Sequence, residues 1–529
     1  MPLVYNNYEF NQGVEINGIK ELISDINLYN QAEVNKLSII LHRIKCDFTV
    51  ISESPYVDRN FRDSYYIYHS RKFFLHNRDC IRLLLFEGKF DSDVLSPFSE
   101  KTEEQLNKKF IGFIIIQPIY LGLIGTTVIN PTYLDKCNGY MCVGEFKCTV
   151  LGYTLKANGF LYSSQNSETV TCAELTILGI VNTLAHISPN YKCIVPSDII
   201  YSKVDYLHER VLPSKGLPYE MVSLLLNKYA GSSRLYFLGK EDLDKGDKSE
   251  ILRKMFHTYV ESGLPLAVAV KGTDENDSTV RHSIVCIGHG KRSYYFSNKA
   301  EPIGEFSVID SYKLYDEYIL IDDNQPPYIT QKYDDFTIYK DSKVVGFVVP
   351  LPQSAFLEAD EAYFIGIEAL FNFTDTRIDE DLLKEKYKYD CNSNPLVTRL
   401  YLTSSAKYKK FKSKTLKSTT LIDFYLTLNL PHYIWVMEIS TANLYSRDLA
   451  FGDVIIDATY SNTKNSINSV ILVHYSDRLG CVDLVESSEC INADINGKRK
   501  RWGSFNVYDN INEEFQLFSN NDSSLRSVN

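Results

Sequence analysis

Up to about residue 150, short apolar runs alternate with polar turns. Within 32–44, Leu37, Ile40, Leu41 and Ile44 recur at helical spacing and predict one amphipathic helix. Residues 47–51, 80–86 and 110–116 read as strands. The longest apolar run, 110–129, is interrupted by Gln117, Pro118 and several glycines. A bilayer span needs about 20 mostly apolar residues without such breaks. The run therefore predicts two strands with a turn at Leu121-Gly122.

The pattern changes after 151. A strand-like stretch, 159–162, leads through a polar loop into an apolar helix, 172–186. Helical spacing returns at 219–229 and 250–262, followed by apolar strands at 265–270, 282–288, 305–309 and 318–322. Helices first and sheet later predict an α+β domain. Beyond 351 there is one good helix, 358–371, a basic stretch, 407–417, and strands at 433–439, 452–456 and 470–475. The basic stretch reads as a solvated face, with a grip on an anion or nucleic acid as the alternative. The expected organisation is an N-terminal mixed α/β region, 1–150, a central domain, 151–350, a C-terminal mixed α/β domain, 351–518, and a disordered tail, 519–529, rich in Ser and Asn.

Composition narrows the function classes. The chain has 529 residues, 44% of them hydrophobic and 23% charged, as in an ordinary globular protein. A net charge of −11 argues against nucleic acid as a partner, because that affinity rests on neutralising phosphates. Met1 to Gly13 shows no basic segment followed by an apolar one, so a cytoplasmic chain with no membrane partner is expected. The 11 cysteines are odd in number and scattered, which is not a disulfide framework. Cys137, Cys142 and Cys148 cluster, but their spacing does not suit a zinc knuckle and no His lies close by, so neither metal nor cofactor is expected. No phosphate-binding loop, dinucleotide fingerprint, HExxH or GxSxG occurs.

Three segments carry candidate chemistry. In Gln165-Asn166-Ser167-Glu168-Thr169-Val170-Thr171-Cys172-Ala173-Glu174, the Thr171-x-x-Glu174 capping box makes Thr171 the N-cap and Cys172 the first helical residue. Free amides and the positive helix end stabilise a thiolate there. In Arg281-His282-Ser283-Ile284-Val285-Cys286-Ile287-Gly288-His289-Gly290, His282 opens a strand that ends in a glycine turn, and Cys286 belongs to the core. In Tyr318-Ile319-Leu320-Ile321-Asp322-Asp323-Asn324, an apolar strand ends in two carboxylates, and an acid beside a His orients the ring and favours its charged form.

Taken together, these segments resemble the papain-like cysteine proteases, including bacterial members. That family places a Gln before the nucleophile, Cys at a helix start, then a His-Ala-Val-x-x-Val-Gly-Tyr-Gly strand and a Tyr-Ile-Leu-Ile-x-Asn-Ser-Trp-Gly strand. The likeness covers roughly 160–330. It departs from the family where Ala173 follows Cys172 in place of Trp, and where Gln325-Pro326-Pro327-Tyr328 follows the acids. The resemblance implies an α+β papain-like central domain, in which a helix carrying Cys packs on an antiparallel β-sheet carrying His and Asp. By that likeness Cys172 is the nucleophile, His282 its base and Asp323 the orienting acid. Gln165 lends an amide to the oxyanion hole, with Asn166 as its rival. The implied activity is a cysteine protease or peptide/isopeptide amidase acting on a protein or peptide. The alternatives are a transglutaminase, deamidase or acyltransferase on the same fold, and a non-catalytic binding or regulatory module. The flanks are expected to position substrate, gate access or bind a partner protein, and the N-terminal one is long enough to be an inhibitory pro-region.

Overall fold

The computed structural model describes residues 4–482, 490–491 and 508–509, except 75, 90–98, 205–210, 240–245, 275, 297–298, 337–338, 373–377, 417–418, 462–468 and 476–477. The expected tail, 519–529, lies outside the described residues. The chain is α+β, built around antiparallel sheets.

The first sheet is a five-stranded meander in sequence order: Val4–Phe10, Phe48–Tyr56, Cys80–Glu87, Phe110–Gln117 and Leu123–Ile129. The long apolar run is thus two paired strands, with Tyr120 and Leu121 in the left-handed turn between them. Helix Gln31–His42 buries Leu37, Ile40 and Leu41 on one face.

The second sheet holds the candidate chemistry. Its order is Ile329–Lys332, Glu317–Ile321, Thr279–His289, Leu266–Thr273, Lys340–Leu351 and Ser232–Phe237. Helix Cys172–Ile187 packs against it and is apolar on nearly every side, because it lies between layers. The expected strand at 159–162 is instead the end of a hairpin, Gly144–Val150 with Tyr153–Gly159, and beyond it only an isolated bridge joins Tyr162 to Thr127. Tyr328 draws the chain off the hairpin there, since its hydroxyl accepts from the Phe160 amide at 2.7 Å.

The strand expected to end in the glycines 288 and 290 keeps Gly288 within its pairing. The His strand runs on to His289, with an irregularity at Gly288. A short strand from the N-terminal region, Tyr140–Met141, pairs antiparallel with the backbone there. A Cβ at Gly288 would overlap the Tyr140 carbonyl oxygen, so the glycine is required by close approach.

The third sheet runs Glu301–Ile303, Phe306–Asp310, Leu396–Ser404, Tyr433–Thr441, Gly452–Asp457, Val470–Tyr475, Arg478–Val482 and Cys490–Ile491. Its first two strands come from the middle of the chain, and the pairing of Phe306–Asp310 with Leu396–Ser404 is parallel. The basic stretch forms helix Ser405–Thr415, but it is not wholly solvated: Lys412 is completely buried and ion-paired with Asp453. One apolar cluster extends from Tyr8 to Tyr475 and draws on all three regions. Among the described residues, no helix is long and apolar enough to cross a membrane.

Gly288→Ala should displace the Tyr140–Met141 strand and destabilise the protein by about 1–3 kcal/mol, the usual range for overpacking. A urea midpoint that falls at constant m-value is the expected reading.

Candidate active site

The loop ahead of the long helix is shaped by its own polar side chains. Asn166 Oδ1 accepts from the backbone amides of Glu168, Thr169 and Val170 at 3.1, 2.9 and 3.0 Å, while its Nδ2 donates to Thr169 Oγ1 at 2.7 Å. Asn166 is therefore spent on holding the loop. Thr171 caps the helix, and Glu174 Oε2 accepts from its backbone amide at 3.1 Å. The same carboxylate is ion-paired with the buried Lys203 and accepts from Ser214 Oγ at 2.5 Å. Cys172 is left half-buried at the helix tip.

The sheet brings the remaining groups to that tip. The acid strand lies antiparallel to the His strand, with Ile321 opposite Val285. Past Ile321 the chain turns, the Gln325 amide donating to the Asp322 carbonyl at 3.1 Å, and both carboxylates reach the ring. His282 Nε2 donates to Asp322 Oδ1 at 2.8 Å, and Asp323 Oδ1 stands 3.3 Å from the same nitrogen. Cys172 lies close enough to the imidazole for its thiol to favour the charged ring. With Nε2 occupied by acids, Nδ1 is the nitrogen left for sulfur. Cys172, Ser283 and Asp323 line one narrow cavity of about 20 Å³. The half-buried ring of Tyr339 meets His282 edge-on, 5.9 Å between centroids.

The electrostatics separate the two acids. Burial opposes a charge on His282, but the Asp322 hydrogen bond, the Cys172 thiol and the charges of both acids outweigh it and push the ring up to about 11. Burial also opposes ionisation of Asp322, yet the His282 hydrogen bond and charge, the Asn324 amide at 2.9 Å and the Gln325 side chain hold it below the ordinary carboxylate range. Asp323 is pushed up to about 7, chiefly by burial and against the pull of His282, with the Asp322 charge adding to the rise. Neither of its carboxylate oxygens has a hydrogen-bond partner. Asp322 is thus the nearer and firmer partner of the ring, although the sequence pointed to Asp323. The doubled acid was the available signal, and the turn after Ile321 decides between its members.

Gln165 is half-buried, and its Nε2 donates to Asn324 Oδ1 at 3.1 Å. Asn324 in turn lies 3.3 Å from His282 Nε2. The structure therefore ties Gln165 to the acid turn, behind the imidazole. The Cys172 backbone amide, at the first position of its helix, is an unpaired donor by construction.

Ligand atoms of His282, Asp322 and Asp323 all lie within 4.8 Å of one another, and among the described residues this is the group a cation could use. Its Nε2 hydrogen is already given to Asp322, so the trio is internally compensated as imidazolium and carboxylate. Cys137, Cys142 and Cys148 are buried, and burial pushes their thiols up to about 11, 12 and 11.

No family model matches the chain, and no curated protein matches it in sequence.

An acid whose pKa rises on folding resists ionisation in the folded state. Its burial should weaken the fold as pH climbs from the unfolded carboxylate value of about 4 to the folded value of about 7, and by a constant amount above that. Asp323→Asn should remove this loss, so that unfolding free energies of variant and wild type diverge in the variant's favour between those pH values. Parallel curves would refute the assignment. Asp322→Asn should instead destabilise by about 3–5 kcal/mol near neutral pH, by leaving the imidazolium without its main counter-charge.

Proposed function

We propose that this chain is a thiol-dependent amide hydrolase, a cysteine protease or peptide/isopeptide amidase with a papain-like arrangement of helix and sheet. The observation that carries the reading is the convergence of Cys172, at a helix tip, with His282 and Asp322, which come from two neighbouring strands.

The chemistry follows from the order of contacts. The resting pair is thiolate and imidazolium: His282 holds the proton given up by the Cys172 thiol, and Asp322 stabilises that charge and fixes the ring's orientation. The thiolate attacks the substrate carbonyl carbon, and the oxygen that gains the electron pair faces the free Cys172 amide. Such a donor is worth about 2.7–4 kcal/mol when aimed at the developing charge. As the C–N bond breaks, His282 returns its proton to the leaving amine, giving a thioester. Water, deprotonated by His282, then attacks that carbonyl; the C–S bond breaks and the acid is released. A protein or peptide is the substrate class that an amide-directed thiol implies. Gln165 would join the oxyanion donors only if substrate displaced its bond to Asn324. Attack by an amine in place of water would make the same site a transglutaminase or acyltransferase. The narrow cavity and the engaged Gln165 favour a second reading, a binding module that keeps the constellation without turnover.

2-Chloroacetamide should alkylate Cys172 far faster than the other ten cysteines, and His282→Ala should slow that reaction by about 10²–10⁴-fold, the range of general-base contributions. Equal rates across the thiols would sink the hydrolase reading and leave the binding module. The wild-type rate should not change with EDTA, and a loss on chelation would favour a cation at His282, Asp322 and Asp323.

A further inference from the structure

The N-terminal region presses one charged pair against this site. Glu33 and Lys36 stand three residues apart on helix Gln31–His42, with side chains only 5% and 12% exposed. An acid–base pair at that spacing on a helix surface contributes a few tenths of a kcal/mol and nothing more. Here the pair points inward and is fully committed. Lys36 Nζ donates to Glu33 Oε1 at 2.8 Å, to Ser164 Oγ at 2.9 Å and to the backbone carbonyl of Asp323 at 2.7 Å. Those three acceptors satisfy all three ammonium hydrogens. Glu33 Oε2 accepts from Ser164 Oγ at 2.8 Å and from the Ile124 amide at 3.0 Å.

The acceptors matter because of where they lie. Ser164 directly precedes Gln165 in the loop leading to Cys172, and Asp323 sits in the turn that holds the His282 ring. One ammonium therefore brackets the two segments that must stay in register for sulfur, imidazole and acid to meet. A second lysine of the same region, Lys72, holds Glu168 farther along that loop, with both carboxylate oxygens at 2.6 Å. Without the Lys36 ammonium, Glu33 is left buried and uncompensated, and the Asp323 carbonyl loses a charge-assisted donor. The acid turn is then free to shift against the ring.

We infer that Lys36 is a positioning residue for the Cys172–His282–Asp322 group, and that the N-terminal region is a working part of the catalytic apparatus and not a removable pro-segment. This rests on the hydrolase reading above. The test uses the full chain and 2-chloroacetamide, with labelling at each cysteine followed by peptide mass. In Lys36→Met, alkylation of Cys172 should slow about 10–100-fold, the scale on which a 1 Å misplacement acts. Exposed Cys391 and buried Cys142 should keep their wild-type rates, and Lys36→Arg should recover part of the loss. If Lys36→Met does not fold, Ser164→Ala removes the hydroxyl shared by Lys36 and Glu33, and the same slowing is expected. An unchanged Cys172 rate overturns the inference. So does slowing accompanied by faster labelling of Cys142, which would mark general loosening. Wild-type Cys172 reacting no faster than Cys391 would overturn the hydrolase reading itself, and this inference with it.

Discussion

The ion pair between His282 and Asp322 is the constraint around which the site is arranged. Both side chains are almost wholly removed from water, where separate charges are costly. They persist as a pair because the proton on Nε2 and the negative oxygen face each other at 2.8 Å, with further donors on the carboxylate. Asp323, beside them, has no such donors on its oxygens and behaves in the opposite way. Two neighbouring acids of identical chemistry are thus driven apart by their surroundings, one kept ionised and the other kept close to neutrality.

Buried charge recurs through the molecule in the same compensated form. Glu174, two residues beyond Cys172, is matched by Lys203. Glu33 is matched by Lys36, where helix Gln31–His42 meets the loop before Cys172 and the acid turn. Between the second and third sheets, Glu261 accepts from Arg399 at 2.6 Å and lies 2.9 Å from His289, while Arg399 also donates to Glu438. Breaking one partner of such a pair is far more damaging than its modest net contribution suggests. These pairs fix how regions distant in sequence sit against one another, and the site inherits its geometry from several of them.

Much of the candidate site was legible in the sequence because it depends on local signals. The Thr171/Glu174 capping box set the helix start and so placed Cys172 at a helix tip, and short apolar runs marked the strands that carry His282 and the acids. Contacts across the sequence were not legible. The spacing of Glu33 and Lys36 reads as an ordinary surface pair, and only the packing of helix Gln31–His42 turns it inward. The choice between Asp322 and Asp323 hangs on the turn after a strand end, which shows in the sequence only as two identical acids. Gln165 occupies the expected loop, yet its amide is drawn to Asn324 from another strand end. Gly288 reads as a turn glycine, whereas an antiparallel strand paired with it explains it.

Between the His strand and the acid strand the chain makes an excursion. It leaves the second sheet after His289, lays Glu301–Ile303 and Phe306–Asp310 along the edge of the third, and returns with Glu317–Ile321. The segment that separates the imidazole from its carboxylate is therefore anchored in the other half of the molecule. A break anywhere between 311 and 395 would leave the C-terminal fragment missing its first two strands, and the N-terminal fragment holding a ribbon with nothing to pair against. Histidine and acid are thus stitched together by way of a distant sheet, and the two halves of the protein are a single unit of assembly.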